Sequence, residues 1–137
     1  MPAFSNRSNE RLNTCHDDLQ RIMREVVKEF DCSILCGHRD EATQNRMVAE
    51  GKSQLRWPEG KHNSMPSQAV DVAPYPINWH DRERFHYFAG YVMGVAERLR
   101  REGKIRSYLR WGGDWSMDTQ VKDNRFDDLV HFEIVER

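Results

Sequence analysis

The chain has 137 residues, of which 38% are hydrophobic and 31% charged, and 21 Lys and Arg residues nearly balance 22 Asp and Glu residues. A chain of this length builds one hydrophobic core, so we expect a single domain over residues 1–137. The net charge of −1 provides no basic surface for nucleic acid, and no stretch approaches the roughly 20 apolar residues that span a bilayer. We therefore expect neither nucleic-acid binding nor membrane insertion.

The start of the chain lacks the apolar segment of a signal peptide, so we expect synthesis in the cytoplasm without an export signal of its own. The three cysteines, Cys15, Cys32 and Cys36, are an odd number without the spacing of a disulfide framework. A shared strand would hold Cys32 and Cys36 about 13 Å apart, which is too far for a disulfide. We expect all three to be buried free thiols.

Periodicity and turn residues predict helices and strands that alternate along the chain. The first half of the chain is predicted to form a helix over 14–30, which Asn13 or Thr14 can cap, a strand over 33–36, a helix over 41–50 capped by Asp40 and ended by Gly51, and a long loop over 52–67. The second half is predicted to form a strand over 68–73, a helix from Asn78 as cap to about Arg101 with Gly103 as its end, a strand over 105–111, a turn at 112–115, a polar loop over 116–127 and a strand over 129–135. Only short loops join the later strands. The expected fold class is α+β, with a small, largely antiparallel sheet and flanking helices.

Two of the predicted strands carry a polar side chain on the face opposite their apolar residues. Val70 and Val72 share one face, so Asp71 points the other way. The same alternation in the last strand turns His131 and Glu133 away from the core. These polar side chains are therefore expected to face a cleft.

His62 lies in the loop that precedes Asp71 and can reach the same cleft as His131. Two histidines and one aspartate supply three ligands suited to zinc and leave a fourth position for water, as in catalytic zinc sites. The spacing alone is a weak signal, and a coincidental set is the alternative. Three further histidines, His16, His80 and His86, are expected to be surface or capping residues.

Asp128 precedes His131 by three residues, just outside the predicted strand, and can bend back toward the same site. Zinc lowers the pKa of a bound water to about 7, but a carboxylate must still take its proton and pass it to the leaving amine. Asp128 is the candidate for this role, and its neighbour Asp127 is expected to be structural. Glu133 either orients a ligand histidine or lies exposed.

Four segments in this order resemble a known family. They are Gly37-His38-Arg39, Lys61-His62-Asn63-Ser64 through Pro66-Ser67-Gln68-Ala69-Val70-Asp71-Val72-Ala73-Pro74-Tyr75, Trp111-Gly112-Gly113-Asp114-Trp115, and Asp128-Leu129-Val130-His131-Phe132-Glu133. Together they resemble the VanY-like D,D-carboxypeptidase and L-alanyl-D-glutamate endopeptidase family, in particular the small endolysins of tailed bacteriophages. The resemblance covers the chain from about Leu19 to Ile134.

This resemblance implies a zinc peptidase that cuts the L-alanyl-D-glutamate bond of peptidoglycan stem peptides, on the α+β fold shared with the hedgehog signalling domain. It assigns zinc to His62, Asp71 and His131, the catalytic base to Asp128, and carbonyl polarisation or binding of a substrate carboxylate to Arg39. A surface salt bridge at a helix start is the alternative for Arg39. We expect a monomer that is made in the host cytoplasm and, without a signal peptide, needs a holin or another route to reach the wall.

Aromatic residues flank the predicted site, and loop residues shape substrate preference. Trp111 is expected in the core, while Trp115 is a candidate for lining the substrate groove. Where the family often has an aromatic residue, this chain has His38.

Three other functions remain open at this point. One is a D-alanyl-D-alanine carboxypeptidase with the same chemistry, and another is a non-catalytic virion or structural module on the same fold. A third is nucleic-acid binding through the basic run Arg98–Arg101 with Lys104, although such residues also solvate a helix end and complement its dipole.

Overall fold

In a computed structural model that describes residues 2–122 and 126–136, this chain folds into helices packed on one antiparallel sheet. The elements are α1 (Asn6–Leu12), α2 (Asp17–Val27), β1 (Cys32–Cys36), α3 (Glu41–Ala49), a 3-10 turn (Lys61–Asn63), β2 (Ala69–Pro74), α4 (Arg82–Arg101), β3 (Tyr108–Gly112) and β4 (Asp128–Val135). Of the predicted polar loop over 116–127, positions 123–125 lie outside the described residues.

The sheet has the strand order β1-β2-β4-β3, and each neighbouring pair is antiparallel. Its core face carries Val70, Val72 and Phe132, which are fully buried. The long helix α4 covers this face with a stripe that includes Phe88 and Val92. The predicted α+β class and the predicted strand alternation are confirmed, and the opposite face of the sheet is left for polar residues.

Helix α1 was absent from the predicted elements because its seven residues are too short to give a clear period. Tertiary packing holds it, since Leu12 is fully buried and the hydroxyl of Ser8 accepts a hydrogen bond from the backbone N–H of Ile34. The following helix, α2, begins later than predicted, with His16 as its N-cap rather than Asn13 or Thr14. Thr14 is engaged elsewhere, because its hydroxyl donates to the carbonyl of Arg11.

Helix α4 also begins later than predicted. The side chain of Asp81 accepts a hydrogen bond from the backbone N–H of Arg84 and caps the helix. Asn78 instead accepts from the backbone N–H of His80, which forms a local turn before the helix. The predicted Asn78 cap is therefore wrong by one turn, although the predicted end near Arg101 is correct.

Strand β3 is shorter at its start than the predicted strand over 105–111. The backbone N–H groups of Arg106 and Ser107 donate to the carboxylate of Asp18 on α2, so they do not join the sheet ladder. Ile105 is buried at 3% exposure, which explains the apolar signal at this position. Trp111 lies in the core as predicted, and its indole N–H donates to the carbonyl of Leu129.

The cysteines are free, as expected. Cys15 and Cys32 are buried, and burial raises the pKa of each thiol to about 12, so both stay protonated. Cys36 departs from the prediction because it is only partly buried. Within residues 2–122 and 126–136, no helix has the length and apolar character needed to cross a membrane.

Candidate active site

Three side chains from neighbouring strands form a cross-strand row on the polar face of the sheet. Asp71 of β2 pairs directly with His131 of β4 and with Cys36 of β1. Side chains of directly paired residues lie on the same face, so Cys36, Asp71 and His131 stand side by side. Asp71 is partly buried and His131 is buried, but neither belongs to the hydrophobic core cluster. Their predicted projection away from the core is therefore confirmed.

His62 reaches this row from the 3-10 turn Lys61–Asn63. Its Nδ1 lies 2.7 Å from the carbonyl oxygen of Gly37, and its Nε2 lies 3.2 Å from Oδ1 of Asp71. A carbonyl oxygen only accepts hydrogen bonds, so Nδ1 carries a proton, and Nε2 is the nitrogen on the side of Asp71 that can bind a metal once it is deprotonated. This contact orients the imidazole as a ligand.

The ring of His131 is oriented in the complementary way. Its Nε2 lies 2.7 Å from Oε1 of Glu133, and its Nδ1 lies 3.3 Å from Oδ1 of Asp71. The carboxylate of Glu133 favours the proton on Nε2, which leaves the lone pair of Nδ1 for the side of Asp71. Of the two interpretations given for Glu133, orientation of the histidine fits, since Glu133 is only 4% exposed.

His62 Nε2 and His131 Nδ1 thus both face Oδ1 of Asp71. Asp71 belongs to two sets of possible metal ligands whose donor atoms lie within 4.8 Å of one another, one with Cys36 and His62 and one with Asp128 and His131. The two nitrogens lie 3.2 and 3.3 Å from the carboxylate oxygen. Donors around a tetrahedral zinc, with bonds of about 2.0–2.1 Å, are separated by about 3.4 Å. The donor types and these two separations fit a small divalent cation, so the chain carries a candidate metal centre here.

The charges of this cluster are strongly coupled. Burial opposes the charged form of His62, but the Asp71 carboxylate outweighs burial and raises the pKa of His62 to about 10. Burial likewise opposes ionisation of Asp71, but His62 and His131 hold its pKa far below the usual range. The pKa of His131 is raised as well, by Asp71 and Glu133, so a cation bound between these side chains would displace protons from both histidines.

Asp128 stands at the edge of the donor cluster. It is the first residue of β4, opposite Gly112, rather than outside the strand as predicted. A Cβ at Gly112 would overlap the carbonyl oxygen of Asp128, so the glycine allows β3 to approach this closely. One donor atom from each of Asp71, Asp128 and His131 lies within 4.8 Å of the others. Burial, and then the charge of Asp71, raise the pKa of Asp128.

Asp127 lies apart from this cluster. It forms an ion pair with Arg82 at the start of α4, and half or more of the Arg82 side chain is exposed. Its predicted structural role agrees with this contact.

Arg39 lies in the site and not on the surface, so the alternative of a surface salt bridge is wrong. Its side chain is 10% exposed, and its Nη2 lies 3.6 Å from Oδ2 of Asp71. Its Nη1 donates to the side-chain oxygen of Gln44 at 3.1 Å. The guanidinium thus contacts Oδ2 of Asp71, while Oδ1 of the same carboxylate faces His62 and His131.

Sequence reasoning missed three residues that support the site. Gln44 is 1% exposed and joins Arg39 to Asn63, whose side-chain amide donates to the carbonyl of Arg39. Arg110 Nη2 donates to Glu133 at 2.7 Å. Cys36 is the third, since its donor atom lies within 4.8 Å of those of His62 and Asp71. Nothing in the sequence around Gln44 distinguishes it from the other polar residues of α3.

A cleft of about 570 Å³ opens over the cluster and has Arg39, Asp71, Asp128 and His131 in its wall. Trp115 lines the same cleft, with its ring centroid 5.5 Å from that of His131. The indole N–H of Trp115 donates to the carbonyl of Phe126, which fixes the ring at the rim. All six residues singled out from the sequence, these five and His62, therefore meet in one cleft.

Comparison with known proteins agrees with this geometry. No curated protein matches the chain significantly. The crystal structure of the Serratia marcescens L-Ala D-Glu endopeptidase ChiX is similar with a TM-score of 0.70 and 28% sequence identity, over 98% of this chain and 91% of that chain. The family model described as phage L-alanyl-D-glutamate peptidase matches residues 2–135. The chain therefore belongs to the phage L-alanyl-D-glutamate peptidase family, and it is a hydrolase of peptidoglycan peptide bonds.

Proposed function

We propose that this chain is a zinc-dependent endolysin whose catalytic domain hydrolyses the L-alanyl-D-glutamate bond of peptidoglycan stem peptides. The observation that carries this proposal is that His62 Nε2 and His131 Nδ1 lie 3.2 and 3.3 Å from the same oxygen of Asp71, with the carboxylate of Asp128 next to Asp71 and His131. Membership of the family indicates which peptide bond is cut, and the types of the donor atoms indicate which metal is bound. The chain acts as a monomer on the wall after its release from the host cytoplasm.

Zinc suits this donor set better than magnesium or calcium. Two imidazoles and one carboxylate are typical of catalytic zinc sites, whereas magnesium and calcium are held by oxygen ligands. A zinc ion held by His62, Asp71 and His131 would polarise the scissile carbonyl of L-alanine and make a water molecule easier to deprotonate.

Asp128 acts as the general base and then as the general acid. Its carboxylate accepts the proton of the attacking water and delivers it to the amine of the departing D-glutamate residue. Burial raises the pKa of Asp128 from its ordinary value, which makes the carboxylate a better proton acceptor. A donor atom of Asp128 lies within 4.8 Å of donor atoms of Asp71 and His131, which supports this role.

Arg39 provides the positive charge on the opposite side of Asp71. The guanidinium holds Oδ2 of Asp71 and offers its planar donors to the oxygen on which negative charge develops. Trp115 covers the rim of the cleft and gives the peptide stem an apolar surface.

The test is digestion of purified muropeptides by the zinc-loaded protein, followed by mass analysis of the products. The expected products are stem peptides that begin at D-glutamate, together with muropeptides that end at L-alanine. Activity should disappear with a chelator and return with added zinc. Release of free D-alanine from otherwise intact stems would show a carboxypeptidase, and cleavage that resists the chelator would contradict the role of the metal.

A further inference from the structure

A β-bulge turns Cys36 toward the metal centre. Between the pairs Ile34↔Val72 and Cys36↔Asp71, β1 advances by two residues while β2 advances by one. Without this shift, the alternation would place Cys36 on the core face with Ile34, because the side chains of a strand repeat every two residues. Bulges commonly re-aim a side chain next to an active site. The extra residue here brings the thiol beside Asp71.

The sulfur of Cys36 lies among groups that face the metal centre. One donor atom from each of Cys36, His62 and Asp71 lies within 4.8 Å of the other two. Nη2 of Arg39 donates to the sulfur at 3.7 Å, and the same nitrogen lies 3.6 Å from Oδ2 of Asp71. Arg39 thus holds the thiol and the carboxylate on the same side. This differs from Cys32, which is 3% exposed and packs in the hydrophobic core.

We propose that Cys36 is a further metal-binding residue of this chain, and that its sulfur holds the ion together with His62 and Asp71 in the substrate-free protein. The sulfur binds as the thiolate, and its proton is released to solvent. Zinc accepts sulfur, nitrogen and oxygen ligands together and can add a fifth ligand during catalysis. A fourth protein donor is therefore compatible with the peptidase reaction.

This inference rests on the metal centre of the proposed function, and it adds a preference of that centre for metal ions that bind sulfur. A thiolate is a soft ligand, and its presence shifts a site toward thiophilic ions. We expect the wild-type protein to bind Cd²⁺ more tightly than Cys36→Ser does, with a smaller difference for Zn²⁺.

The decisive experiment replaces the ion with Co²⁺ and records the absorption spectrum. A thiolate bound to Co²⁺ gives an intense near-ultraviolet charge-transfer band, whereas nitrogen and oxygen ligands give only the weaker visible bands. We expect the near-ultraviolet band in the wild type and in Cys32→Ser, and its loss in Cys36→Ser. Cys32 lies on the same strand but in the core, so this variant is the matched control.

A second measurement needs no variant. X-ray absorption of the zinc-loaded wild type should contain a sulfur shell at about 2.3 Å besides the nitrogen and oxygen shell at about 2.0–2.1 Å. Visible bands without charge transfer, a zinc spectrum without sulfur, or a charge-transfer band that persists in Cys36→Ser would each overturn the proposal. If the charge-transfer band is present but muropeptides stay uncut, the proposed function fails while the role of Cys36 stands. Absence of Co²⁺ binding overturns both.

Discussion

Glu133 Oε1 lies 2.7 Å from Nε2 of His131, on the side of the ring that faces away from Asp71. The carboxylate of Glu133 is held in turn by Arg110, whose Nη2 lies 2.7 Å from Oε2. Burial opposes ionisation of Glu133, but His131 and Arg110 outweigh it and lower its pKa to about 2. Glu133 is therefore a fixed negative charge that directs the lone pair of Nδ1 toward the metal centre.

Replacing Glu133 by glutamine should weaken zinc binding by about 10- to 100-fold, the usual effect of losing a partner of a ligand histidine. The amide keeps the size of the side chain but removes the charge that orients His131. Competition with a zinc chelator of known affinity measures the effect. Glu97→Gln is the control, because Glu97 lies on the surface of α4 and pairs with Arg100 and Arg101. Equal affinities of Glu133→Gln and the wild type would contradict the role of Glu133.

Asp128→Asn should lower kcat by about 10²- to 10⁴-fold, because the amide cannot transfer the proton. Zinc content should stay near one ion per chain, since His62, Asp71 and His131 are unchanged. The neighbouring variant Asp127→Asn is the matched control and should keep its activity, because Asp127 pairs with Arg82. Rates from muropeptide cleavage and metal analysis of the same samples give both readings. Loss of activity in Asp127→Asn alone would reverse the assignment.

Arg39→Lys should reduce kcat on the order of 10²-fold, the scale for the loss of one donor to a developing oxyanion. A lysine has a single charged nitrogen and cannot contact Gln44 and Asp71 together, as the guanidinium does. Steady-state kinetics on a muropeptide substrate measure the change. Arg46→Lys on the exposed side of α3 serves as the control. A variant whose kcat equals that of the wild type would limit Arg39 to a structural contact.

Asp18 connects the start of α2 to the segment before β3. Its carboxylate accepts hydrogen bonds from the backbone N–H groups of Arg106 and Ser107 and from the hydroxyl of Ser107. Partial burial would raise the pKa of Asp18, but these hydrogen bonds outweigh it and lower the pKa. A lowered pKa in the folded state means that the unfolded chain binds the proton more readily, so this contribution to stability is lost as the pH falls.

Asp18→Ala should therefore lower the free energy of unfolding by about 1.5–3 kcal/mol at pH 7, the range for hydrogen bonds to a charged group. The difference from the wild type should shrink as the pH falls below about 4, the ordinary range for an aspartate. Urea denaturation at pH 7 and at pH 3 checks both statements. Asp17→Ala, in the same helical turn but exposed, is the control. An effect that does not change with pH would point to helix capping or packing instead of the charge.

Much of the fold followed from patterns that are local in sequence. Strict alternation in β2 and β4 placed Asp71 and His131 on the polar face, and the apolar stripe of α4 identified its buried side. Helix starts were less accurate, because Asn78 and Thr14 are good caps by residue type but form other hydrogen bonds. Residue type shows what a side chain can bind, whereas the tertiary structure decides which partner it finds.

The sequence predicted those site residues whose position follows from the alternation of side chains along a strand. It did not predict those whose position follows from the register between strands. Alternation places Cys36 in the core with Cys32, but the bulge in β1 places it beside Asp71. Arg110 contacts Glu133 across the paired strands β3 and β4, so its role depends on strand pairing. Gln44 contacts Arg39 five residues before it, but it also contacts Asn63 from the later 3-10 turn, and only the tertiary structure brings these three side chains together.

The cross-strand row of Cys36, Asp71 and His131 forms only when the strands of the sheet have paired, so the metal centre exists only in the folded chain. The members of this row come from β1, β2 and β4, and His62 comes from a turn between the first two strands, so an unfolded chain holds no comparable set of donors. An ion that binds only the native chain stabilises it by about 2.7 kcal/mol when its concentration is 100 times the Kd. Loading with zinc should thus raise the melting temperature of the whole domain, and the bound ion would tie β1, β2 and β4 together across the sheet.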